Sequence, residues 1–170
     1  MGKADINRLL VQTARGDNAA FSRLYEQTGR GVYAFLYTYF HNKEDTEDAL
    51  QTVYLKIKRN AASFKPNGSG RAWILQIAKN HAINELKKNS RTVCAEEIDL
   101  GTTEGVSVGS VNDTMQRVLT EEEQQIITLH VLWGYKHKEI AKMFDHPVGT
   151  ITSKYKRAVE KLRTALKEVD

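Results

Sequence analysis

A single cysteine, Cys94, leaves the chain without any possible internal disulfide framework. That fits a reducing compartment, and a cytoplasmic location is expected. Only two prolines occur, Pro66 and Pro147, so most of the sequence is open to helix. No apolar run approaches the roughly 18 residues that a membrane span needs, so no membrane insertion is expected. The opening residues, Met1 to Arg8, carry no apolar signal segment, and Ile6 stands where a myristoylation motif places Ser or Thr. Five histidines (His41, His81, His130, His137 and His146) fall at no metal-ligand spacing, and no Gly-rich phosphate loop accompanies them. Neither a metal, a cofactor nor an enzymatic activity is therefore expected. The carboxylates of Glu44 to Asp48 are metal ligands in principle. At a helix start they more simply complement the dipole or meet a basic partner.

Basic residues are missing from one stretch and concentrated on either side of it. Between Thr92 and Gln116 there is no Lys or Arg, while Glu96, Glu97, Asp99, Glu104 and Asp113 fall there. From Lys56 to Arg91 nine Lys or Arg residues face one acid, Glu85; from Lys136 to Lys167 nine more face Glu139, Asp145 and Glu160. Two basic blocks flanking an acidic spacer suggest two polyanion contacts on one chain. Each block also reads as a solvated helix face.

The spacer is the domain boundary. Thr92–Asp113 contains Gly-Thr-Thr-Glu-Gly-Val-Ser-Val-Gly-Ser, has no helical period, and reads as a flexible linker. The expected division is 1–91, a linker at 92–113, and 114–170. No period-two strand pattern stands out, so the fold class is all-α, two small helical domains joined by that linker.

Four helices are expected in the first domain. One is capped by Asp17 or Asn18 and carries Phe21, Leu24 and Tyr25. A second covers Gly31–Phe40. A third starts at Glu44–Asp48 and continues through Ala49, Leu50, Val53, Leu55 and Ile57, and a fourth runs from about Arg71 to Lys88 after a loop at Ser63–Gly70. On that fourth helix Ile74, Leu75, Ala78, Ala82 and Leu86 make an apolar arc, with Gln76, Asn80, Asn84, Lys87 and Lys88 opposite. Asn and Gln are weak helix formers but suit hydrogen bonding to base edges. Phe64 and Trp73 flank the loop. Exposed rings beside cations are what single-stranded nucleic acid stacks on; the same two rings suit a core equally well.

Three or four helices are expected after the linker. Thr120-Glu121-Glu122-Glu123 has the pattern of a capping box opening a helix through Ile126, Ile127, Leu129 and His130. Ile140, Ala141 and Phe144 mark a short amphipathic helix, broken at Asp145-His146-Pro147, with Pro147 as first residue of the next. There Val148, Ile151, Tyr155, Ala158 and Leu162 form one apolar stripe, and Thr150, Ser153, Lys154, Arg157 and Lys161 the opposite face. Small polar residues first and cations further along is the layout of a recognition helix in a helix-turn-helix, and Gly149 lets the backbone approach DNA.

Taken in order, these segments resemble the sigma factors of bacterial RNA polymerase, in the extracytoplasmic-function group. Gly16 to Tyr25 resembles the family's opening helix, Asp45 to Lys56 its polymerase-binding helix, and Trp73 to Lys88 the helix that reads the melted promoter. Gly134 to Ala141 and Pro147 to Lys154 resemble its helix-turn-helix. The resemblance covers nearly all of the chain outside the linker. It implies a non-enzymatic role in directing polymerase core to promoters. Asp45, Asp48, Gln51 and Tyr54 would contact the clamp helices of the largest subunit. The family usually continues Leu-Val-Gln-Glu after the aspartate, whereas this chain has Ala49-Leu50-Gln51-Thr52. Phe64, Asn67, Arg71, Trp73, Gln76, Asn80, Asn84, Lys87 and Lys88 would hold the minus-ten element as a single strand, with one base flipped. Lys136, Gly149, Thr150, Ser153, Lys154, Arg157 and Lys161 would read the minus-thirty-five element as duplex. Asp145-His146 replaces the family's commoner Gly-Ile in the turn. An anti-sigma factor is an expected partner. The alternative is a helix-turn-helix regulator that acts without polymerase. It leaves the acidic third helix and the Asn-rich fourth unexplained.

Overall fold

The computed structural model describes residues 3–93 and 111–168; the linker reading for the intervening stretch, and Cys94 with it, lie outside the described residues. The chain divides into two units, Met1–Ala95 and Glu96–Asp170. Every described element is helical: α1 (Lys3–Ala14), α2 (Asn18–Phe40), α3 (Lys43–Asn60), a single 3-10 turn (Ala61–Ser63) and α4 (Gly70–Val93) in the first unit. The second holds α5 (Val111–Val118), α6 (Glu121–Val131), α7 (His137–Phe144) and α8 (Val148–Lys167). Helices α4 and α5 thus reach into both ends of the stretch read as linker.

The four-helix reading of the first unit counted correctly but divided the chain wrongly. α1 was not expected, although Ile6, Leu9, Leu10 and Thr13 recur at helical spacing and are all buried. The two helices expected at Phe21–Tyr25 and Gly31–Phe40 are one. Its buried residues Ala20, Leu24, Thr28, Val32 and Leu36 follow each other at intervals of four straight through Gly29 and Gly31. Each glycine costs about 1 kcal/mol of helix propensity. Burying a continuous stripe from Ala20 to Leu36 outweighs that. Asp17 caps α2, its carboxylate accepting from the Ala20 amide at 3.0 Å.

α3 and α4 pack against α2. The pairing of α2 with α3 includes a buried polar contact: the Thr28 hydroxyl donates to the Leu24 carbonyl (2.6 Å), so Tyr54 Oη donates to Thr28 Oγ1, also at 2.6 Å. Burial pushes the Tyr54 phenol up from its ordinary value, the Thr28 bond opposing that, so the hydroxyl stays protonated.

In the second unit the Thr120 capping box forms as expected, the Glu123 amide donating to Thr120 Oγ1 and the Thr120 amide to the Glu123 carboxylate. Leu119, Ile127 and Ala158 form a core between α5, α6 and α8, with Met115, Val118, Tyr155, Val159 and Leu162 around them. α7 leads to α8 through Asp145, whose φ of 53° is left-handed. Asp tolerates that region better than most residues, which is how the turn forms without the family's glycine. Pro147 stands one residue earlier than expected, as the cap of α8 rather than its first residue.

Candidate nucleic-acid and polymerase interface

The exposed face of α3 is acidic at its start. Asn42 caps the helix through the Asp45 amide at 2.8 Å, and its side-chain amide donates to the Asp45 carboxylate at the same distance. Asp45 is therefore partly engaged in the cap, while remaining exposed. Asp48 and Gln51 are exposed, with Thr52 donating back to the Asp48 carbonyl at 3.1 Å. One expectation is corrected here. Tyr54, placed with the surface contacts, is only 4% exposed and belongs to the core beside Thr28. Leu55, on the same helix, is 64% exposed. It lies four residues after Gln51 and seven after Asp48, which sets all three on one side of α3. That spacing was available in the sequence, but an apolar residue draws itself to the core in any reading by type.

On α4 the polar face is laid out as the spacing suggests. Gln76, Asn80, Asn84, Lys87 and Lys88 are all exposed. Gln76 Nε2 donates to Asn80 Oδ1 at 2.8 Å, and Lys88 pairs with Glu85 at 3.3 Å. Leu86, expected on the apolar arc, is instead partly exposed beside them. Below this face Lys56 Nζ lies 3.2 Å from Nδ1 of the buried His81, which must accept. Burial, and then the charge of Lys56, hold His81 below the usual imidazole range, so it is neutral there.

The loop before α4 departs from expectation at Phe64, which is only 7% exposed. Its ring centroid lies 5.7 Å from that of Trp73, which is half-buried. Of the two rings read as stacking platforms, Phe64 is core and supports Trp73 from beneath. Lys65 and Asn67 are exposed on the loop, and Arg71 half-buried just after it.

On α8, Ile151 and Ala158 are buried and Ser153, Arg157 and Lys161 exposed, as the two-faced pattern requires; Thr150 is half-buried. Val148 breaks the pattern at 47% exposed. Gly149 is exposed, and a methyl group there would meet nothing within 4 Å. Lys136, preceding α7, is exposed, its amide donating to Glu139 at 2.8 Å. Two of the cations are tied to α6. Lys154 is bound by the Glu122 carboxylate, which also takes His146 Nε2 at 2.7 Å, and Lys161 is bound by Glu123. The bond from Lys154 holds the Glu122 carboxyl below its ordinary range against the opposing effect of burial, with His146 assisting. Behind the turn, His130, His137 and Tyr155 pack with ring centroids 4.7 to 4.9 Å apart. Burial and the nearby His130 and Lys156 keep His137 below the usual imidazole range.

Among the described residues, no three His, Cys, Asp or Glu side chains gather as a metal site, and no helix is long and apolar enough to cross a membrane. These surfaces define a helical protein with an Asn/Lys face on one unit and a Ser/Lys/Arg face on the other, both suited to nucleic acid.

Residues 24–92 match the family model of Sigma-70 region 2, and residues 115–162 that of Sigma-70 region 4. The chain is 28% identical to the ECF RNA polymerase sigma factor SigK of Mycobacterium bovis, across 96% of this chain and 94% of that one. Its fold is similar to the sigma factor RpoE of Bartonella quintana, solved with the anti-sigma factor NepR. The TM-score is 0.66 at 20% identity, covering 86% of this chain and 96% of that one. It is also similar to CnrH, solved with the cytosolic domain of CnrY, with a TM-score of 0.64 at 22% identity over 97% and 98% of the two chains. The chain belongs to the sigma-70 family of RNA polymerase sigma factors, in its extracytoplasmic-function group.

Proposed function

We propose that this protein directs RNA polymerase core to promoters through three surfaces and performs no chemistry of its own. One observation carries the reading: the matched sigma regions each fall on a unit whose exposed face has the chemistry the region needs. Asp48, Gln51 and Leu55 on α3, with Asp45 at its start, meet the clamp helices of the largest subunit. Tyr54 acts from beneath by fixing α3 on α2. Asn67, Arg71, Trp73, Gln76, Asn80, Asn84, Lys87 and Lys88 hold the melted minus-ten strand. Extruding one base costs a few kcal/mol, which its pocket must recover. Lys136, Gly149, Thr150, Ser153, Lys154, Arg157 and Lys161 meet the minus-thirty-five duplex. The working division is 1–91 and 114–170, with 92–113 joining them.

The place of action is the cytoplasm, where polymerase is. Two proteins of similar fold were solved with a protein partner, in one case an anti-sigma factor. A partner of that kind is proposed here too. The reading is tested by co-elution with sigma-free polymerase core on size exclusion. Wild type should co-elute, and an Asp48→Arg, Gln51→Ala variant should not. Wild type that ignores core but binds duplex DNA alone would instead mark an independent helix-turn-helix regulator.

A further inference from the structure

One side chain of α1 reaches across to the loop that precedes the minus-ten helix. The Asn7 amide nitrogen donates to the carbonyls of Gly68 (2.8 Å) and Pro66 (3.2 Å), and its Oδ1 accepts from the Gly70 amide at 2.8 Å. A short carboxamide is the side chain that offers two donors and an acceptor in one plane at this reach. Asn7 stands between Ile6 and the Leu9–Leu10 pair, all buried, so it projects from a fixed helix. The fit at the far end is equally tight. A Cβ at Gly70 would lie 2.6 Å from Asn7 Oδ1 and 2.9 Å from Ile6 Cγ2. Within the loop the Gly68 amide closes a turn on the Lys65 carbonyl at 2.9 Å. With two of its carbonyls turned onto α1, the loop leaves Lys65 and Asn67 exposed. The same clasp sets Gly70, where α4 and its line of Trp73, Gln76 and Asn80 begin.

We propose that Asn7 is a positioning residue for promoter choice: it holds the loop Lys65–Gly70 in the one conformation that accepts a particular flipped base. This rests on the reading of that loop as part of the minus-ten surface. Asn7 itself touches no DNA. A site held by a rigid element discriminates because a misfit ligand cannot reshape it, whereas a released loop accommodates several bases.

The test uses the full chain with polymerase core and a promoter library randomised across the minus-ten element, read by sequencing the open complexes. Wild type should show one position with a strong single-base preference. Asn7→Ala should flatten that position by about tenfold, equivalent to one or two net hydrogen bonds, and leave the other positions and core affinity unchanged. Asn7→Asp separates loss of the clasp from loss of side-chain volume. It matches Asn in size and keeps the bond from Gly70, but sets a carboxylate against two carbonyls, so it should flatten the same position. Unchanged base preference in both variants would overturn the proposal, as would an equal loss at every position. A wild type with no preference anywhere in the element would overturn the minus-ten reading itself, and the proposal with it.

Discussion

The Lys161 ammonium lies 3.0 and 2.9 Å from the two carboxylate oxygens of Glu123, tying α8 to the capping box of α6. Glu123 is buried, and burial pushes its carboxyl up; the bonds from Lys161 and the Thr120 amide outweigh that and hold it below its ordinary value of 4.5. The folded state therefore favours the charged form. Its contribution is complete above pH 4.5 and is lost as pH falls through the depressed folded value. Glu123→Gln should destabilise the second unit by about 1 kcal/mol near neutrality, a modest figure because Lys161 is half-exposed. The deficit should shrink as the pH falls below 4.5, measured by thermal melting of both proteins across pH.

Lys154 and Glu122 make the corresponding contact about two helical turns nearer the start of α8. A phosphate must compete with that carboxylate for the lysine. Glu122→Gln should therefore strengthen non-specific duplex binding several-fold and steepen the dependence of log K on log salt by about one. Fluorescence anisotropy against a salt series measures both. An unchanged slope would mean that Lys154 gains no phosphate contact when the carboxylate no longer holds it.

Tyr54 and Thr28 test whether α3 is read from the correct side. Tyr54→Phe leaves Thr28 bonded to the Leu24 carbonyl, so no donor is orphaned. The expected loss is about 1 kcal/mol of stability, with affinity for polymerase core unchanged. A variant of full stability that no longer binds core would return Tyr54 to the interface.

Leu55→Asp makes the opposite prediction. The residue is mostly solvent-exposed, so stability should move by less than about 0.5 kcal/mol. Core affinity should fall at least tenfold, measured by titration of labelled chain with core, because a charge would replace the one apolar side chain of the proposed contact.

Much of this was legible in the residues, and the exceptions have physical causes. The Thr120 capping box and the division of α8 into an Ile151–Ala158 side and a Ser153–Arg157 side rest on local chemistry and periodicity, and both formed. α1 carried the same kind of signal in Ile6, Leu9, Leu10 and Thr13. The break placed in α2 followed the glycines, although the run from Ala20 to Leu36 never lost its period. Phe64, Tyr54 and Leu55 could not be sided from residue type, because aromatic and aliphatic side chains serve cores and interfaces alike. The Asn7 clasp and the Glu122–Lys154 pair join residues far apart in the chain. Nothing local records such contacts.

The most direct test of the account is promoter-dependent transcription in a purified system. Core polymerase, a randomised promoter library and this protein should yield transcripts only when all three are present. Their templates should share two motifs at the minus-ten and minus-thirty-five positions, and an Arg157→Ala variant should relax only the second. Transcripts independent of the protein, or a protein that selects duplex sites without polymerase and starts no transcript from them, would contradict it.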